Sequence, residues 1–215
     1  MNEIANFHHS ADALPKVRII CVETVPLQIP FRTKQKKLHV ADRTSHEIMI
    51  VRIKTDAGIE GIGETYARRR QGVAETLVNL KHTIETYLAP QLVGNSPFAF
   101  TYLLSQMNDA LDNSHAAKAA LSDALLDLMG KLLNVPVSTF FGGRNRTTVA
   151  TCAVLNIKDR WEDTLEEVER YAAEGYSDYT IKVGISPAAD FDNVRRIREC
   201  LPDAILRVDA NARLN

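Results

Sequence analysis

The chain has 215 residues, 45% hydrophobic and 25% charged, the composition of an ordinary soluble globular protein with enough apolar mass for a core. Its 26 basic and 27 acidic residues leave a formal charge of −1, so nothing electrostatic favours nucleic acid or an anionic membrane surface as partner. No stretch approaches the ~18 apolar residues of a membrane helix, and residues 1–15 lack the basic start and apolar run of a signal peptide.

Cys21, Cys152 and Cys200 are odd in number and far apart, with no metal-type spacing. They are expected to be reduced, buried small hydrophobes, which favours a cytoplasmic protein. Residues 1–15 read as a flexible tail, in which His8 and His9 are accounted for as a solvated pair without any metal.

Apolar residues recur at Val17, Ile19, Cys21 and Val25, an approximate alternation that predicts a half-buried strand. A second strand is expected from His46 to Lys54. The turn residues Thr55, Asp56, Ala57 and Gly58 then join it to a short strand from Ile59 to Glu64, completing a three-stranded antiparallel sheet. Between the first two strands, Pro26 to Ser45 carries Lys34, Lys36 and Lys37 and reads as a long polar loop.

Helical patterns follow at Val73 to Leu88, Pro97 to Asp112 and Ala116 to Leu133. In the last, Ala117, Ala120, Leu121, Ala124, Leu125 and Leu128 form one apolar face, alanine-rich enough for close packing. Phe141 to Asn145 contains two glycines and breaks the helical run, marking a domain boundary. Beyond it the rhythm is strand (Val149 to Leu155), helix (Trp161 to Glu174), strand (Asp178 to Val183), helix (Ala188 to Cys200) and strand (Ala204 to Asp209). Such alternation signals parallel βα units. The helix faces expected on the sheet are Trp161, Leu165, Val168 and Ala172, and Phe191, Val194 and Ile197.

The second of these strands ends in Thr180-Ile181-Lys182, and the third in Asp209-Ala210-Asn211. The carboxyl ends of parallel strands are where α/β sheets and barrels bind ligands. A carboxylate and an amide are hard oxygen donors suited to magnesium, so Asp209 is a candidate metal ligand and Asn211 a ligand or orienting neighbour. A lysine beside a divalent cation is disfavoured in its charged form, which suits a base. Singly these signals are weak: a strand-terminal lysine is often solvated, and Asp-x-Asn often makes only a turn or cap.

Taken together, the arrangement resembles the mandelate racemase and muconate cycloisomerase branch of the enolase superfamily. The residues that carry the resemblance are Gly61 to Glu64 in the hairpin, the helix Ala117 to Lys131, Pro136 to Gly143, Lys182, Asp209 and Asn211. Lys182 matches the second lysine of the family's Lys-x-Lys motif, Asp209 the first of three acidic metal ligands, and Asn211 the asparagine two residues on.

The resemblance implies an α/β protein in which an α+β capping domain of a three-stranded antiparallel sheet plus helices (16–145) is followed by an incomplete (β/α) TIM-type barrel (146–215). It implies a Mg2+-dependent enzyme that removes the proton α to the carboxylate of a small substrate. Lys182 would be the catalytic group, with cycloisomerase, racemase or epimerase chemistry first and acid-sugar or hydroxy-acid dehydration second. A homo-oligomer is expected. The loops Leu27 to Thr44 and Tyr66 to Gly72 would touch substrate, with Arg68, Arg69 and Arg70 able to meet a second anionic group, although a solvated basic turn is the plainer account of the arginines.

Two departures stand out. Thr180 occupies the place of the first lysine, where it would line the substrate site without adding a positive charge. About seventy residues follow the junction, where a barrel of this kind takes ~250, so the other acidic ligands and the opposite-face acid or base lie outside the sequence. A reading from a different class takes these 215 residues as a truncated, catalytically inert chain serving as an interaction or capping module.

Overall fold

The structure, a computed structural model, describes residues 14–31, 45–70, 73–156 and 158–211. His8, His9, Lys34, Lys36 and Lys37 lie outside the described residues, as do parts of both expected substrate loops. The described residues divide into two compact units between Arg144 and Asn145.

The first unit opens with an antiparallel sheet in the order β1 (Ile19–Pro30), β2 (Ser45–Thr55), β3 (Glu60–Tyr66). Alternation along β2 sends Met49, Val51, Ile53 and Thr55 inward, each at most 2% exposed. Strand β1 runs further than the sequence pattern predicts, through Pro26 to Pro30, which the expected loop had included. Among the described residues it pairs only with β2, and an edge strand tolerates residues that cannot donate to a neighbour.

A second departure follows β3. Arg68–Arg70 forms strand β4 and pairs with β5 (Val73–Glu75), so the helix expected from Val73 begins only at Leu77. Thr76 sets that start, its side chain accepting a hydrogen bond from the Asn79 backbone N–H at 3.2 Å. Helix α1 (Leu77–Thr83) continues through a π-helical turn (Ile84–Leu88) into α2 (Ala89–Leu92), then come α3 (Phe100–Ala110) and α4 (His115–Leu133).

The expected apolar face of α4 is the buried one: Ala117, Ala120, Leu121, Ala124, Leu125 and Leu128 are all 0% exposed. Burying each leucine is worth about 1.5–3 kcal/mol relative to exposure, before entropy is counted. That face packs on the sheet where Gly61 and Gly63 remove the side chains that would hold the helix away. Asn134 ends α4 in the left-handed conformation (φ 54°), its N–H returning to the carbonyls of Gly130 and Lys131.

The second unit is a parallel sheet in the order β6 (Ala153–Leu155), β7 (Asp178–Lys182), β8 (Ile205–Asp209), with α5 (Trp161–Ala173) and α6 (Pro187–Cys200) as crossovers. Tyr179 and Ile181 on β7 face the helices and are fully buried with Val168 of α5 and Ile197 of α6. The inward faces of the helices differ partly from expectation. Phe191 is 72% exposed and Ala172 is also outward, while Thr164, Val168 and Tyr171 turn toward the core of α5. The cysteines differ too: all three are free, but Cys21 and Cys152 are half-buried and Cys200 is exposed. Cys200 is the last residue of α6, where the helix leaves the sheet.

Candidate active site

Because β7 buries Tyr179 and Ile181 against the helices, the alternation of the strand turns Thr180 and Lys182 to the opposite face. Parallel register sets Lys182 opposite Asp209 and Thr180 opposite Arg207. The Lys182 ammonium donates to Asp209 Oδ2, and the two side chains are 25% and 38% exposed.

Asn211 closes the other side of the carboxylate. Its backbone N–H donates to Asp209 Oδ1 at 2.8 Å, and its amide nitrogen lies 3.1 Å from Oδ1 and 3.0 Å from Oδ2. The backbone contact spans two residues, the turn that aspartate favours at strand ends, and Asn211 adopts a left-handed φ of 49° to make it. The Lys182 ammonium first, and the Asn211 N–H next, hold the Asp209 carboxyl below its ordinary pKa.

The residues around this pair were not singled out by sequence. Cys152, ahead of β6, places Sγ 3.1 Å from Thr180 Oγ1. Arg207 pairs with Asp178 at 2.7 Å, a diagonal pair that starts two residues before Asp209 on β8 and four before Lys182 on β7. Asp190 accepts from the backbone N–H groups of Gly184 (3.0 Å) and Ile185 (3.2 Å), fixing the loop that leaves Lys182. A signal for Asp190 was present in Ser186-Pro187, a helix start whose serine accepts from Ala189 N–H, with the aspartate in the first turn. Nothing in sequence spacing connects Cys152 to Thr180 across 28 positions; only strand register does.

Lys182, Asp209, Asn211 and Thr180 therefore lie together in the second unit. Arg68, Arg69 and Arg70 belong to the first, in strand β4.

The donor set around Asp209 has the chemistry of a partial magnesium site. Asp209 contributes one anionic oxygen donor at a strand's carboxyl end, and Asn211 holds it in place. Among the described residues no group of three or more His, Cys, Asp or Glu forms a metal cluster. Magnesium keeps several waters and accepts one or two carboxylates, so these residues fit a weak, water-rich site. Among the described residues no helix is long and apolar enough to cross a membrane.

Residues 16–142 match the family described as mandelate racemase / muconate lactonizing enzyme, N-terminal domain. The chain belongs to that family. The N-succinyl-L-Arg/Lys racemase of Bacillus cereus is 34% identical over 164 residues, covering 76% of this chain and 44% of the racemase. Muconate cycloisomerase 1 of Acinetobacter baylyi is 31% identical over 195 residues, covering 88% of this chain and 52% of that enzyme. The crystal structure of N-succinyl Arg/Lys racemase from Bacillus cereus superposes with a TM-score of 0.84 at 29% identity, covering 91% of this chain and 53% of that one. The chain thus spans about half the length of the relatives it matches. The capping-type α+β unit and the parallel βα units agree with the mandelate racemase / muconate lactonizing enzyme architecture within the enolase superfamily.

Proposed function

We propose that this chain carries the proton-transfer half of an active site that removes the proton α to a carboxylate, in an isomerase of the racemase or cycloisomerase type. The observation that carries this reading is the adjacency of Lys182 and Asp209 in register at the carboxyl ends of two parallel strands, in a family that includes a racemase and a cycloisomerase.

In this reading Lys182 moves the proton at Nζ. Its strand position fixes the approach of the amine, and Asp190 fixes the loop behind it. Thr180, half-buried and bonded to Cys152 Sγ, presents a hydroxyl beside Lys182 that can orient the substrate without adding charge. Asp209 is the residue that would hold Mg2+, with Asn211 orienting the carboxylate through its amide nitrogen. Bound there, the ion would supply a fixed positive charge to an oxyanion developing on the substrate. Arg68, Arg69 and Arg70 are candidates for a second anionic group of the substrate, as β4 places them in the capping-type unit. A protein working in the cytoplasm as a homo-oligomer completes the proposal.

The test is exchange of the α-proton of N-succinyl amino acids with deuterated solvent, followed by NMR. It is run on residues 1–215 fused to the remaining barrel strands of the Bacillus cereus racemase. Exchange that depends on Lys182 and on added Mg2+ supports the proposal; exchange that survives Lys182→Ala at the parent rate overturns it.

A further inference from the structure

Three groups donate to the Asp209 carboxylate. A carboxylate offers about four lone-pair directions, and here each oxygen already meets two donors: Oδ1 the backbone N–H and amide nitrogen of Asn211, Oδ2 that same amide nitrogen and the Lys182 ammonium. A cation that takes up a lone pair of this carboxylate competes with a donor already there. The Asn211 donors are tied to a backbone turn held at φ 49°. The Lys182 ammonium ends a flexible four-carbon stem and is itself a cation, so an incoming cation repels it and it is the donor free to swing away.

We infer that Lys182 is an internal counter-ion occupying the cation position of Asp209, and that a divalent cation exchanges with it, swinging the lysine amine off the carboxylate. This rests on the reading of Asp209 as the metal ligand. The consequence is an ordered assembly: without the ion, the proton-transfer group and the metal ligand neutralise one another, and arrival of the ion frees the amine for substrate. The same exchange weakens the affinity for the ion, because each binding event breaks an ion pair.

The experiment is a Mn2+ titration of the 215-residue chain, read from the electron paramagnetic resonance signal of free Mn2+. With one carboxylate the parent should bind at about millimolar strength. Lys182→Met removes the competitor and should tighten binding about fivefold, the factor equivalent to an exposed ion pair. Arg207→Met removes a cation from the same sheet face that is bonded to Asp178 and not to Asp209. It should leave binding within about twofold of the parent, whereas equal tightening in both variants would show a general field effect and overturn the exchange.

Asp209→Asn separates the two readings. If it abolishes binding while Lys182→Met binds no more tightly than the parent, the exchange is wrong and the metal reading stands. If Asp209→Asn binds Mn2+ like the parent, both fall. Should Lys182→Met fail to fold, the Lys182 ε-CH2 resonance of the parent decides: it should shift with added Mg2+ in the parent and stay fixed in Asp209→Asn, and no shift in the parent overturns the inference.

Discussion

Gly63 lies against the backbone of Ala120 so closely that a Cβ built on it would stand 1.9 Å from the Ala120 carbonyl oxygen. Gly61 stands in the same relation to Ala124, at 2.1 Å. The two glycines on β3 and the alanines of α4 are one device, a helix seated directly on a sheet. Gly63→Ala must lift the helix or bend the strand, because the obstructing atom is backbone. The expected loss is about 3 kcal/mol, at the upper end of overpacking costs. A urea midpoint unchanged from the parent would rule this out. Gly58→Ala is a useful contrast, since no atom lies within 4 Å of its added Cβ and its cost comes only from a φ of +73°.

How much of this was legible beforehand depends on which force decides each element. The apolar stripe of α4 was readable because six buried positions repeat with helical spacing and packing agrees with propensity. The βα rhythm was readable for the same reason, with Tyr179 and Ile181 alternating against Thr180 and Lys182. The β4–β5 hairpin was not. Val73, Ala74 and Glu75 carry no turn-and-strand signature, and their strand pairing to Arg68–Arg70 comes from cross-strand register that local pattern does not encode. Asp209 and Asn211 could be paired in advance because they are two apart in one strand end. The meeting of Lys182 with that carboxylate could not, since Lys182 comes from another strand.

Tyr179 makes the second unit sensitive to alkali. It is fully buried, its hydroxyl donates to the Tyr176 carbonyl at 2.9 Å, and burial raises its pKa. The unfolded chain releases this proton near pH ~10, while the folded chain holds it to higher pH. Stability is therefore whole below pH ~10 and falls as pH rises beyond it, because the folded state then binds more protons than the unfolded one. Urea midpoints from pH 8 to 11.5 should fall more steeply in the parent than in Tyr179→Phe, and parallel curves would contradict the assignment.

The isolated 215-residue chain should self-associate as its concentration rises. The parallel sheet has β6 and β8 at its edges, and Val154, Ile205 and Val208 on those strands are 41%, 54% and 57% exposed. Unpaired strand edges beside exposed apolar side chains favour pairing with another chain. Sedimentation velocity should show a concentration-dependent shift to larger species; a single monomer peak across a hundredfold range would refute it.

The last prediction concerns Lys182 once the barrel strands are supplied by fusion to a relative. If the amine transfers the α-proton, Lys182→Ala should lower turnover roughly a hundredfold or more, the usual scale for losing a general base. The rival is structural: Lys182 only pairs with Asp209 at a strand end. The pair is about a quarter exposed on the lysine side and 38% exposed on the aspartate side, so its loss should cost no more than about 1 kcal/mol of stability. The two accounts separate when stability and chemistry are measured on the same variant. A loss of α-proton exchange with a nearly unchanged melting temperature assigns proton transfer to Lys182. A change in melting temperature with exchange intact assigns it to the fold alone, and Thr180, standing where the motif's first lysine would sit, then marks a branch with different chemistry. Lys182→Arg sharpens the distinction. Its guanidinium can keep the ion pair to Asp209 but stays protonated in any accessible range, so it should restore the melting temperature while leaving exchange at the level of the alanine variant.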